Sequence, residues 1–283
     1  MNEPSPCWPL IRADGPVLVF GGPYSNLHAT QALWAEAERL GIPPSRTICT
    51  GDVVAYGAHP AETVALVRAW GIPVVAGNVE ESLGAGADDC GCGFAEGTAC
   101  DLASVRWYRH ADRALGRGER AWMRDLPGRI DLEVGGKRLA VVHGAPSAVN
   151  RFLFPSAGDG ELAAEIALTG CDGVVAGHSG IPFTRIVDGR VWHNAGVVGM
   201  PADDGTPEVW FSLLVPEAGG LRLEHRRLSY DWRAAQAAMR AADLPEGYAA
   251  ALGTGIWPSD DILPPMERSV RGMRWEPESI LLG

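Results

Sequence analysis

The residues best suited to chemistry lie in one stretch, Thr47 to Glu80, which carries Asp52 and Asn78. An apolar run from Thr47 to Thr50 stops on Gly51-Asp52, which sets a carboxylate at the carboxyl end of a buried strand. A turn at Gly57 to Pro60 leads to helical apolar spacing over Ala61 to Trp70, and a β-branched run from Pro73 to Ala76 stops on Gly77-Asn78. The right-handed crossover of such a βαβ unit brings Asp52 and Asn78 to one edge of neighbouring parallel strands. Two hard oxygen ligands then face one spot, where open α/β sheets keep their chemistry. A second reactive group is the run DDCGCGFAEGTAC, with Cys90, Cys92 and Cys100 in a C-x-C-x7-C pattern. Three thiols so close could hold zinc or iron with a fourth ligand, Cys49 or His110 being candidates, or do redox chemistry. The spacing is not the C-x2-C pair of ordinary zinc knuckles, so thiols without a metal role stay an open reading.

The elements that must position these groups follow from periodicity. Pro16 to Phe20 reads as a central strand ending on GGPYSN, and Leu27 to Leu40 as the helix behind it. GGPYSN is either a tight turn capped by Ser25 or Asn26 or an anion-binding loop of exposed N–H groups, with Tyr24 and Asn26 as candidate substrate contacts. Glu80 and Glu81 are either acceptors for an imidazole N–H or acids at a helix start, and Glu80 is also a candidate substrate contact. Leu102 to Tyr108 and Arg117 to Leu126 look helical, so Glu81 to Leu126 forms a cap over the cleft. Arg129 to Val134 and Arg138 to His143 make a hairpin through Gly135-Gly136. Asn150 to Phe154 brings Arg151 and aromatics into a loop near the site, with Arg151 either an anion contact or a surface charge. Glu161 to Thr169 reads as a helix and Gly173 to Ala176 as a strand. Four further runs, Phe183 to Val187, Arg190 to His193, Glu208 to Val215 and Leu221 to Leu228, read as a second, mostly antiparallel sheet. Helices follow from Asp231 and over Glu246 to Leu252, and the tail from Gly253 has no periodicity.

Length and charge bound the rest. The chain has 283 residues, 46% hydrophobic, with 36 Gly and 21 Pro, which suits one large turn-rich domain. The expected division is a domain over 1–230 with the cap inserted at 81–126, and a C-terminal helical segment and tail over 231–283 packed on it. A formal net charge of −11 leaves no electrostatic footprint for nucleic acid or an anionic membrane, and points to a small-molecule substrate. The opening MNEPSPCWPL lacks the features of a signal peptide and no long apolar run could span a bilayer, so a cytoplasmic protein is expected. In that reducing compartment the six cysteines are expected as free thiols or metal ligands rather than disulfides. The tail offers a route to an oligomer.

The stretch from Gly51 to Glu62 and Gly77 to Glu80 resembles the calcineurin-like metallophosphoesterases, in the small bacterial branch with GD-[IV]-V-x-YG-x-x-P-x-E followed by GN-H-[DE]. VVHGAPS at Val141 to Ser147, GHSGIPF at Gly177 to Phe183 and HNAGVVGMP at His193 to Pro201 are similar to later family blocks in the same order. The resemblance implies a four-layer αββα sandwich of two mixed β-sheets flanked by helices. It also implies a metal ligand set of Asp52, Asn78, His143 and His178, with Asp52, Asn78 and His143 taking part in catalysis. The positions of the other family metal carry Gly22, Tyr24 and Gly180, and the leaving-group histidine is Val79. The expectation is therefore one divalent transition metal, Zn, Fe or Mn, with a second metal open. The function expected is hydrolysis of a small phosphate ester. The alternatives are an inactive relative that binds a ligand or partner, and an iron or thiol metalloenzyme of different chemistry.

Overall fold

Short strands buried on both faces organise the molecule, and the computed structural model describes residues 8–283. In chain order the first half contains β1 (Leu10–Ala13), β2 (Val17–Phe20), α1 (Leu27–Arg39), β3 (Thr47–Cys49), α2 (Pro60–Trp70), α3 (Asn78–Ala85), α4 (Ala99–Ala114) and α5 (Arg117–Arg124). Then come β4 (Ile130–Val134), β5 (Lys137–Val141), α6 (Asp159–Ala167), β6 (Gly173–Ala176), β7 (Phe183–Val187) and β8 (Arg190–Asn194). The chain continues through β9 (Val209–Glu217), β10 (Gly220–Leu228), α7 (Trp232–Ala241), α8 (Glu246–Thr254), α9 (Pro265–Ser269) and β11 (Ser279–Leu282). One sheet has six strands in the order β1-β4-β5-β6-β8-β7, the other five in the order β11-β10-β9-β2-β3.

The layers follow from strand alternation. In β2, Val17 and Val19 join Val175, Val191 and Leu214 between the two sheets. Leu18 and Phe20 face the other way and pack with Leu33 of α1 and Val64, Val67 and Trp70 of α2. In the six-stranded sheet Val174 and Trp192 likewise turn outward onto Leu162 and Ile166 of α6. The result is helix, sheet, sheet, helix, as the sequence implied. Helix α1 starts where Asn26 Oδ1 accepts from Ala29 N at 3.1 Å. Helix α2 starts on Pro60 and ends on Gly71, whose φ of +73° suits glycine.

Three expectations need correction. The strands at 183–187 and 190–194 do not form a second sheet with the later ones. β8 runs parallel to β6, from Gly173↔Val191 to Ala176↔Asn194, while β9 crosses over to pair with β2. Alternation marks a strand but not its partner. The run from Pro73 to Ala76 is only a single parallel bridge, Cys49↔Val74. Pro73 has no N–H, and the Ala76 N–H is taken by Pro127 O at 2.8 Å, so the ladder stops after Val75 N donates to Cys49 O. The tail carries more order than its composition suggested, since β11 adds an antiparallel edge to β10. The first seven residues, part of the segment read as lacking a leader, lie outside the described residues. Among the described residues no helix is long and apolar enough to cross a membrane.

Between the sheets, His193 of β8 and His225 of β10 stack at 4.5 Å, and the Thr184 hydroxyl bridges them at 2.8 and 3.0 Å. Burial pushes both rings well below the usual imidazole range, His225 to about 4 from 6.5. The unfolded chain therefore binds protons at pH values where the folded chain does not. Stability should be undiminished above about pH 6.5 and fall as pH drops to about 4, by about 3 kcal/mol from His225 alone. Denaturant midpoints across that range, compared with His225→Gln, measure it; equal slopes would show that the ring does not titrate in this way.

Candidate metal centre

Four loops deliver the site from the carboxyl ends of the strands. Asp52 follows β3, Asn78 opens α3, His143 follows β5 and His178 follows β6. The glycines beside them are required by contact. A Cβ on Gly51, whose φ is +99°, would lie 2.7 Å from Gly77 N, and one on Gly77 would strike Asp52 Oδ1. The GD and GN steps thus let two loops touch through their backbones.

His143 Nδ1 lies 2.7 Å from Thr50 O and so donates its proton there. In the neutral ring Nε2 is then a lone pair, and it faces Asn78 Oδ1 at 3.1 Å, Asp52 Oδ2 at 3.3 Å and His178 Nδ1 at 2.9 Å. Asn78 is oriented by its Nδ2, which donates to Cys90 O at 2.9 Å. Asp52 Oδ1 accepts from Val79 N at 3.2 Å, leaving Oδ2 turned inward. Asp52, His143 and His178 each offer one ligand atom, all within 4.8 Å of one another. Convergent lone pairs of one carboxylate, one amide oxygen and two imidazoles fit a divalent transition metal.

The field of the site favours positive charge beside Asp52. Burial opposes ionisation of Asp52, but the charge and hydrogen bond of His143, with His178 and the Val79 N–H, hold its carboxyl below the usual range. Burial also opposes charge on His143, which Asp52 and Thr50 O outweigh, while burial beside His143 drives His178 to about 3. Glu80 is fully buried and accepts from Asp52 N at 2.7 Å, Val53 N at 2.8 Å and Gly77 N at 2.9 Å. Its burial and the nearby Asp52 charge push its carboxyl up, against the pull of those N–H donors. Two buried carboxylates thus share one corner, with His143 as a positive partner of both.

The other candidates from the sequence divide. Tyr24 does reach the site, and its ring covers Gly22 so closely that a Cβ there would collide with it. Gly180 is covered in turn by Trp257 from the tail, 3.4 Å from where a Cβ would stand. Aromatic rings therefore lie over Gly22 and Gly180, two of the three positions assigned to a first metal, and the third is Tyr24 itself. Asn26 is a buried helix cap whose Nδ2 donates to Gly199 O. Glu80 touches neither an imidazole nor the cleft; it clasps the backbone of two loops. Arg151 does not line the cavity; its two terminal nitrogens are each held by one carboxylate of α6, Glu161 and Glu165. Cys90 and Cys92 pair with each other as a disulfide, against the expectation of free thiols, with Gly91 forming the bend between them. Cys100 and Cys49 are separately buried and His110 faces Ala58 O, so these thiols do not assemble a ligand cluster.

Asp52 and His178 line a cavity that is partly open to solvent. Sequence reasoning missed most of its wall. Phe152 stacks on His178 with centroids 4.2 Å apart, and Phe94, Trp107, Tyr248 and Trp257 come from the cap, α8 and the tail. Of the loop at 150–154, Phe152 lines this cavity and Arg151 does not. No local signal marks Trp257, which lies in an aperiodic segment.

Residues 24–214 match the family model of the calcineurin-like phosphoesterase superfamily domain. The chain is 26% identical over 190 residues to the uncharacterized protein MJ0912 of Methanocaldococcus jannaschii, covering 66% of this chain and 71% of that one. Its fold is similar to that of the hypothetical protein PH1004 from Pyrococcus horikoshii OT3, with a TM-score of 0.72 at 17% identity over 86% of this chain and 99% of that one. A metallophosphoesterase from Sphaerobacter thermophilus gives 0.68 at 22% identity, over 85% and 99%.

Proposed function

Because the chain belongs to the calcineurin-like phosphoesterase superfamily, we propose that it is a metal-dependent hydrolase of a small phosphate ester, working with one ion held by Asp52, Asn78, His143 and His178. The observation that carries this reading is the convergence of their lone pairs on one point, with aromatic rings over the positions a second ion would need. Such an ion supplies Lewis acidity, which acidifies water and polarises a phosphoryl oxygen. The chain's own residues do the rest. Thr50 O fixes the His143 tautomer, the Val79 N–H fixes Asp52, and the Cys90 carbonyl fixes Asn78. The aromatic wall excludes water from one side of the site, which strengthens every charge interaction inside it. In hydrolysis a water oxygen bonds to phosphorus, the phosphorus–oxygen bond to the organic group breaks, and that oxygen leaves carrying a proton from the water.

Hydrolysis of phenyl phosphate tests the proposal. It should disappear on chelation, return with Zn, Fe or Mn, and fall more than about a hundredfold in Asp52→Asn, which keeps the shape but drops the charge of a direct ligand, since an orienting partner alone is already worth about tenfold to a hundredfold. Tyr24 over Gly22 and Trp257 over Gly180 favour the second reading, a relative that binds without turnover, and metal-loaded protein inert toward every ester offered would establish it.

A further inference from the structure

Resting on that reading of the site, we propose that the part of the substrate beyond its phosphoryl group is an uncharged aromatic alcohol, bound among the rings of the cap and tail, and that the substrate carries a single phosphoryl group. Asp52 and His178 line the same cavity as Tyr56, Phe94, Trp107, Phe152, Tyr248 and Trp257. The rings are arranged for aromatic contact. Tyr56 meets Trp107 edge-on at 5.1 Å and Tyr248 at 4.5 Å with 39° between planes, and Phe94 lies over Phe152 at 6.4 Å with 17° between planes. Tyr56, Phe94, Phe152 and Trp257 are only half-buried, so they keep faces that the protein itself does not cover. A planar group seated there gains burial and edge or face contacts with several rings at once.

What the wall lacks defines the ligand as much as what it contains. Among the described residues no Lys or Arg lines this cavity, and its one carboxylate is Asp52. A second or third phosphate would be carried into an apolar, net-acidic space with no counter-charge, at a desolvation cost nothing there offsets. Nucleoside di- and triphosphates and sugar bisphosphates are thereby disfavoured. A single phosphoryl group stays at the Asp52 and His178 end, and the alcohol extends toward Phe94 and Trp257.

The test separates recognition from turnover. Binding of 2-naphthylmethanol is followed by quenching of tryptophan fluorescence in the wild-type protein and in His143→Ala, where no catalysis is needed. Saturable binding is expected in both, weakened about tenfold by Phe94→Ala, the loss of one aromatic contact. In turnover, naphthylmethyl phosphate should exceed glycerol phosphate by at least about tenfold in kcat/KM, although both release a primary alcohol of similar acidity. Phe94→Ala should narrow that ratio through KM. If the alcohol fails to bind, or Phe94→Ala and Phe152→Ala leave its affinity unchanged, or glycerol phosphate and a nucleoside diphosphate serve equally well, the inference is overturned. If the alcohol binds while no ester is hydrolysed, the cavity assignment stands and the hydrolase reading fails instead.

Discussion

Protein purified without chelators should contain about one equivalent of a divalent transition metal per chain, and His143→Ala should contain almost none. His143 carries this expectation because its Nε2 is the atom on which the other three ligands converge. Its replacement removes a ligand and leaves Asp52 and Asn78 facing an empty pocket that cannot close on a cation. Hydrolysis of a phosphate ester should fall more than a hundredfold with it, since loss of a mere orienting partner already costs tenfold to a hundredfold in metal sites. Element-resolved analysis checks both the stoichiometry and the loss. Two equivalents in the wild type would mean that Tyr24 and Trp257 do not obstruct a second ion. Metal retained in His143→Ala but lost in Cys100→Ser would move the centre to the thiols.

Glu80→Ala should destabilise the fold by roughly 3–5 kcal/mol, because three buried N–H groups lose their acceptor together. Glu80→Gln keeps an acceptor of the same reach but turns an NH₂ toward a donor, so about half that loss is expected. Denaturant unfolding gives the comparison. A loss below about 1 kcal/mol in Glu80→Ala would mean that water enters and satisfies the N–H groups. Metal content should fall in parallel, because Glu80 fixes the backbone of Asp52 and the loop that leads into Asn78.

How much of this was legible depends on whether the information is local. Strand β6 reads directly from Gly173 to Ala176, since four apolar residues between turns admit few alternatives, and His178 follows from where that strand stops. The meeting of Asp52 with Asn78 follows from the handedness of one crossover. Conversely, the partner of β8 is decided by how the chain returns after His178, which no pattern within Arg190 to Asn194 records. Arg151 is locally a basic residue beside aromatics; only the fold of α6 reveals that Glu161 and Glu165 occupy it. The pairing of Cys90 with Cys92 was masked by an inference about compartment, although one intervening glycine permits so tight a bend. Trp257 reaches Gly180 across 77 positions of sequence, through a tail with no periodicity to read.

The hydrogen bond from His143 Nδ1 to Thr50 O spans the two halves of the sandwich, joining the loop after β5 in one sheet to the loop after β3 in the other. The centre is therefore a seam, with Asp52 and Asn78 on one lip and His143 and His178 on the other. Shear of one layer past its neighbour is the movement that would open it. Affinity for a cation and resistance to slippage between the layers become two readings of a single equilibrium, so a substitution deep between the sheets, far from any ligand, can loosen the grip on the ion.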